Sequence, residues 1–365
     1  MNPMDPNPPS TNAPNKAAIR IGIYRTRYAG DIFLLVPLLH NIKESIPNAD
    51  LFIIVNEGTE YPLKQMEIPF FLFRRKSFFE KTRSARDLSR IIQGKEFDLW
   101  VDLTVSDRSK FFTRRVRSSL KVGAGWQTDH RTDDPYDLFL PFDYDHGPDH
   151  VTVFTKSAFK SAGLELAGGP SNFFVPPAID EKDAVDQFLL EHKIVGRPFI
   201  VVHPGARHWF KRWPPDRFGR VASWWGRTTG GMVIVIGTEE ETTLMESVGA
   251  NMDPSVDRIL LKRSIPFLHA LLGKASLFIG NDSAPLHLAH STQTPLIALF
   301  GSTTPKVWGP IHASNSSVFY RPPACSPCNH TGCSMGAENC LLKITVDEVT
   351  SAMGRMGTPH KVLTP

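Results

Sequence analysis

From Ile19 onward, short apolar runs alternate with longer amphipathic stretches, and this alternation restricts the fold more than any other property of the chain. IRIGIY is followed by DIFLLVPLLHNIKESI, ADLFIIV and later FDLWVDL with a polar helical stretch behind it. That is the strand–helix–strand pattern of a parallel sheet. The series fades at 162–172, where AGLELAGGPSN holds turn formers and little periodicity. A second series then begins: EKDAVDQFLLEHKI, the strand PFIVVHPG, a helix from about Pro215, the strand MVIVIG, a helix from Glu239, RILL and the helix IPFLHALLGKA. A chain of 365 residues suits two domains of ordinary size. The predicted class is therefore α/β, with two doubly wound Rossmann-like domains facing across a cleft. They are expected over 18–172 and 173–344, with a tail at 1–17 and a C-terminal helix and tail at 345–365.

Composition excludes several functions. A net charge of +4 over this length gives no basis for bulk nucleic-acid binding. The opening MNPMDPNPPSTNAPNK has neither the cationic start nor the apolar core of a signal peptide and reads as a disordered tail, so a cytoplasmic protein is expected. The longest early apolar run, Ile32 to Leu39, falls far short of the roughly 18 residues that span a bilayer.

Four loops following predicted strands carry the chemistry. Between Gly280 and Pro310 the chain reads GNDSAPLHLAHSTQTPLIALFGSTTPKVWGP. A strand at 276–279 turns into a helix that Asp282 or Ser283 is placed to cap, with Pro285 in its first turn. Amides at such a helix start suit a diphosphate. A strand from Pro295 to Phe300 then ends in a second small, hydroxyl-rich loop, Gly301 to Pro305. A further loop, His203-Pro204-Gly205-Ala206-Arg207 through Lys211, offers a glycine for close backbone approach and a compact cation for phosphate. The fourth, Gly237-Thr238-Glu239-Glu240-Glu241, carries carboxylates that suit either ribose hydroxyls or the start of a helix. Three of these loops, supplying a cation, carboxylates and helix-start amides, match a nucleotide diphosphate.

These segments resemble the ADP-heptose:lipopolysaccharide heptosyltransferases, glycosyltransferase family nine. Against the family pattern Asp-Ser-Gly-Pro-x-His-Leu-Ala the chain has Asp282, Ser283, Ala284, Pro285, His287, Leu288 and Ala289, with alanine in place of the glycine. The resemblance implies the GT-B architecture, with donor-binding groups at Gly205, Lys211, Glu241, Asp282, Ser283, Ala284, His287, Ser302 and Thr303. It leaves open which of Glu239, Glu240 and Glu241 meets ribose. The family's N-terminal Gly-Asp is matched by Gly30-Asp31, which makes Asp31 the expected catalytic base, where the residues alone would favour a helix cap. Inverting transfer of heptose from ADP-heptose to the inner core of lipopolysaccharide follows, with leaving-group charge met by Lys211 and the loop amides and no cofactor required. Arg25 and Arg27 are the expected contacts for an anionic, phosphorylated lipid-linked acceptor. Arg74, Arg75, Lys76, Arg114, Arg115 and Arg117 are either a solvated face or an attraction to the anionic inner face of the cytoplasmic membrane. By analogy with the architecture, the helix Thr345 to Met356 is expected to return to the first domain.

Other readings remain. A relative transferring a different sugar to a surface glycan shares all these motifs. A non-catalytic nucleotide-sugar binder is disfavoured by Asp31, Lys211 and Asp282 together, and a nicotinamide oxidoreductase by the missing G-x-G-x-x-G in IGIYRTRYAGD. All four cysteines, Cys325, Cys328, Cys333 and Cys340, lie in one loop, which suits a structural zinc, an iron–sulfur cluster or disulfides.

Overall fold

A computed structural model describes residues 18–126, 130–144, 147, 149–169, 173–311, 314–328, 332–336 and 339–356. The expected tail at 1–17 and part of the expected linker, 170–172, lie outside them.

The N-terminal sheet is built from β1 (Arg20–Tyr24), β2 (Asp50–Asn56), β3 (Phe70–Phe73), β4 (Glu96–Asp102), β5 (Arg117–Gly125) and β6 (Leu138–Pro141). Its order is β3-β2-β1-β4-β5-β6, and every pairing is parallel. Helices α1 (Ala29–Phe33), α2 (Val36–Ser45), α3 (Tyr61–Gln65), α4 (Phe78–Gln93), α5 (Asp107–Thr113) and α6 (Val151–Ser161) connect or cover it. After α7 (Ile179–Glu191), the second sheet takes β7 (Phe199–His203), β8 (Met232–Ile236), β9 (Arg258–Leu261), β10 (Leu277–Asn281), β11 (Leu296–Phe300) and β12 (Ser316–Tyr320). Read from β9, its order β9-β8-β7-β10-β11-β12 repeats the first, again wholly parallel. Its helices are α8 (Pro215–Thr229), α9 (Thr242–Ala250), α10 (Ile265–Leu272), α11 (Ala284–Ser291), α12 (Pro305–Trp308) and α13 (Val346–Met356).

Strands covered on both faces read as continuous apolar runs, and β7, β8, β10 and β11 are buried at every residue. At Gly22 in β1, a Cβ would stand 2.3 Å from the Trp100 ring. That glycine makes room for an indole whose Nε1 donates to Thr113 at 3.0 Å.

One expected element is divided. DIFLLVPLLHNIKESI forms α1 and α2 rather than a single helix. Pro37, in the first turn of α2, has no N–H to continue the ladder from Phe33. The break leaves Asp31 on a five-residue helix just beyond β1. The last helix also departs from expectation. α13 stays on the C-terminal domain, packing against α8 and burying Val349, Ala352 and Met353 among Trp213, Phe218 and Trp225.

In each sheet the chain reverses direction beside its first strand, between β1 and β4 and between β7 and β10. Crevices at such switch points, outside the carboxyl ends of the strands, are where open α/β sheets bind ligands. The two domains meet there. α1 packs on α11, and a Cβ on Gly30 would stand only 3.0 Å from the His287 ring. Tyr61 Oη lies 2.9 Å from Nδ1 of His269, and the Arg207 guanidinium lies over Tyr28 at 4.4 Å. Among the described residues no helix is long and apolar enough to cross a membrane.

Candidate active site between the two switch points

The C-terminal half of the site is assembled by Asn281, the last residue of β10, which is fully buried. Its Nδ2 donates to the Pro204 carbonyl at 2.8 Å and its Oδ1 accepts from Trp213 N–H at 3.0 Å. The loop after β7 is thereby held against the end of β10. Lys211, in a short 3₁₀ turn within that loop, donates to Oδ2 of Asp282 at 2.9 Å, and Thr303 donates to the same oxygen at 2.5 Å. Three loops from three strands meet at one carboxylate. Burial alone would raise the pKa of Asp282, but the Lys211 charge and the Thr303 hydroxyl bring it below the ordinary value.

Asp282 and Ser283 do not cap α11 with their side chains. Oδ2 of Asp282 accepts from both Lys211 and Thr303, and Ser283 Oγ lies 3.2 Å from Nδ1 of His203 while donating to the Asn281 carbonyl. On its other edge His203 Nε2 is 3.5 Å from Oε2 of Glu241. His203 thus links the loop after β10 to the loop after β8. Glu241 Oε2 also accepts from Thr238 N–H at 3.0 Å. Burial pushes its pKa up, yet the hydrogen bond and charge of His203 outweigh that and hold it at about 2. Within the acidic trio only Glu241 turns inward. Glu239 is exposed and pairs with Lys262 at 2.5 Å, and Glu240 is exposed. Gly205 is required here because a Cβ would fall 1.9 Å from Glu241 Oε1.

His287 is 4% exposed and its Nδ1 has no partner among the described residues. Burial lowers its pKa, with Lys211 acting in the same direction, against the opposing pull of Asp282 and Asp31. His287 therefore lies where the charges of a carboxylate from each domain both reach it. Ser302 is also buried with an unpartnered Oγ, and Ala284 is half-buried at the start of α11.

On the N-terminal side Asp31 accepts from Arg25 at 2.5 Å and from Tyr28 N–H at 3.1 Å. Arg25 is 2% exposed and also donates to the Leu103 carbonyl, so its guanidinium faces Asp31 and β4 rather than an incoming acceptor. Burial would discharge it, but the neighbouring Asp31 charge raises its pKa. Arg27, half-buried, donates to the Thr104 carbonyl at 2.9 Å. Behind them Asp102 is fully buried, accepting from Thr104 N–H, Val105 N–H and Tyr136 Oη at 2.8, 3.0 and 2.8 Å. Val105 adopts a φ of +47°, a strained angle for a β-branched residue, at the switch point of the first sheet.

The cysteine loop supports the 301–304 loop. Ser326 Oγ donates to the Gly301 carbonyl at 2.9 Å, Cys328 N–H donates to the Ser302 carbonyl at 2.6 Å, and a Cβ on Gly301 would stand 2.9 Å from Cys340 Sγ. Burial, with a smaller contribution from the other three cysteines, pushes the Cys340 thiol up to about 11. Among the described residues no three ligating side chains group as a metal site, so the expected structural metal finds no support in this arrangement. The loop braces Gly301 and Ser302 through these contacts.

Sequence reasoning missed Asn281, the Arg25–Asp31 pair and the Ser283–His203–Glu241 chain. Asn281 carried a signal, as an amide closing an otherwise apolar strand.

Residues 85–338 match the family model described as glycosyltransferase family 9 (heptosyltransferase). Lipopolysaccharide heptosyltransferase 3 of Escherichia coli is 26% identical over 294 residues, covering 78% of this chain and 84% of that protein. Among solved structures, a glycosyltransferase family 9 protein from Veillonella parvula superposes with a TM-score of 0.78 at 19% identity, covering 93% of this chain and 97% of that one. The E. coli heptosyltransferase WaaC, solved with ADP, gives 0.69 at 18% identity, covering 93% and 100%.

Proposed function

The chain belongs to glycosyltransferase family 9, and from that membership we propose that it transfers heptose from ADP-heptose to the inner core of lipopolysaccharide at the inner face of the cytoplasmic membrane. The observation that carries this reading is the convergence of Lys211, Asp282 and Thr303 at the start of α11, on which α1 with Asp31 packs, the Gly30 backbone lying against the His287 ring. A cation and a hydroxyl held by a half-buried carboxylate suit a diphosphate, and an acid on the facing domain suits the hydroxyl that attacks the sugar.

In the proposed reaction the acceptor hydroxyl gives its proton to Asp31 as its oxygen bonds to the anomeric carbon. The bond from that carbon to the diphosphate breaks on the opposite side, so configuration inverts and ADP departs with the electron pair. Lys211, the amides at 283–285 and the hydroxyls of Ser302 and Thr303 meet the charge that develops on the leaving group. Glu241, held by His203 and Thr238, is the partner for ribose hydroxyls. Arg25 positions Asp31, which leaves Arg27 as the acceptor-facing cation of the first loop.

The test is to incubate purified protein with ADP-heptose and a heptose-deficient inner-core acceptor, then read product mass and the anomeric configuration by NMR. One heptose added per acceptor with inversion is expected. Transfer from another nucleotide sugar in its place would reassign the donor, and retained configuration would remove the single-displacement mechanism.

A further inference from the structure

We propose that the start of α4 and the loop before it form a docking surface for an anionic lipid bilayer. β3 ends at Phe73 on the same carboxyl-terminal side of the parallel sheet as β1, and the chain leaves it through Arg74, Arg75, Lys76 and Ser77. α4 then opens with Phe78 and Phe79, which are 77% and 84% exposed and lie edge to face with ring centroids 6.1 Å apart.

Neither ring serves the helix. Its N-terminus is capped by Ser77 and Glu80, and its buried contacts come from Ser84, Leu88 and Ile92. Two adjacent phenylalanines left in water at a helix start are costly unless something apolar receives them. Cations surround them. Between Arg74 and Arg86 there are six basic residues and one acid, Glu80. Glu57 neutralises part of this, at 3.4 Å from Arg74 and 3.5 Å from Lys76, and Asp87 lies within 4.0 Å of Arg83 and Arg86. Arg75 and Lys81 are exposed and have no ion pair among the described residues.

Aromatic rings ringed by cations fit the boundary of a bilayer with anionic headgroups, where rings enter the acyl edge and cations remain among phosphates. A second copy of the chain fits poorly, because a two-fold contact through this patch would set its cations against themselves. The carboxyl-terminal side of the sheet, where Asp31 lies, would then face the membrane that carries a lipid-linked acceptor. The inference deepens the proposed membrane-face location and is independent of which sugar is transferred.

Full-length protein is sedimented with phosphatidylcholine vesicles and with mixed phosphatidylglycerol–phosphatidylcholine vesicles, alongside a Phe78→Ser/Phe79→Ser variant and an Arg75→Glu/Lys81→Glu variant. Binding to the anionic vesicles is expected, weakening as salt rises. Each double variant is expected to lose about tenfold or more in vesicle affinity, with turnover on a water-soluble deacylated acceptor unchanged. Equal binding to both vesicle types, or Phe78→Ser/Phe79→Ser binding like the unaltered protein, overturns the proposal. So does loss of a dimer, seen by analytical ultracentrifugation, as that variant's only defect. Vesicle binding as expected without any turnover would count against the proposed reaction and leave the docking surface standing.

Discussion

Arg25 donates to Asp31 across 2.5 Å while itself only 2% exposed, so the carboxylate proposed as base is held by a charge that water does not reach. The guanidinium serves the Leu103 carbonyl and Asp31 from two separate nitrogens in its rigid fork, whereas an ammonium would have to reach both from a single nitrogen. Arg25→Lys is therefore expected to lower kcat by about 10- to 100-fold and leave KM for the donor near its original value. A purely structural role would instead lower thermal stability with kcat per folded molecule unchanged.

Lys211 and Asp282 act as a unit. Lys211→Ala removes the cation and also leaves a half-buried carboxylate without its main partner, so a loss of about 10²- to 10³-fold in kcat/KM is expected. Asp282→Asn should cost a similar amount by freeing Lys211 and Thr303 from their common acceptor. Because the residues touch, the double variant should lose far less than the product of the single effects. Steady-state kinetics on the three proteins decide this, and multiplicative losses would separate the two roles.

His203 ties Ser283 to Glu241, and only a side chain with two opposed nitrogens spans that gap. His203→Ala is expected to weaken ADP binding about tenfold, roughly the value of one or two hydrogen bonds. Glu241→Gln should have an effect of the same size, and adenosine binding should fall with it, since the ribose contact is shared. Calorimetry with ADP and with adenosine makes the comparison.

Two buried histidines set an acid limit on stability. Burial lowers the pKa of His269 to about 4, and burial with the nearby His287 and His150 lowers that of His290 to about 3. Below the unfolded value of about 6.5 the unfolded chain binds protons that the folded chain refuses. Stability present above pH 6.5 is therefore lost as pH falls toward 4, at up to about 1.4 kcal/mol per pH unit for each histidine. Denaturant unfolding across that window, repeated with His290→Leu, should show a shallower slope in the variant.

The strand–helix alternation made the doubly wound class legible, because parallel strands buried on both faces leave uninterrupted apolar runs such as MVIVI. β5 was less visible, since RSSLKVGAG carries cations, serines and glycines on a strand whose first half is partly exposed. The loops of the site were legible as turn chemistry after strands. Their wiring was not, since it depends on pairs far apart in the chain, such as Lys211 with Asp282 and His203 with Glu241. Arg25 illustrates the limit. Its charge and its closeness to Asp31 were visible, but its burial against β4 was not, and burial changes it from an acceptor contact into a support for Asp31. α13 followed the C-terminal core because Val349, Ala352 and Met353 form one apolar face that α8 covers.

The most direct test of the account is release of ADP from ADP-heptose, with and without a deacylated inner-core acceptor, by the native protein and by Asp31→Asn. The account predicts acceptor-dependent release that falls by at least about 10³-fold in the variant, whose donor affinity is retained. Release by Asp31→Asn at the native rate would contradict it, since the proton of the attacking hydroxyl would then have to leave by another route.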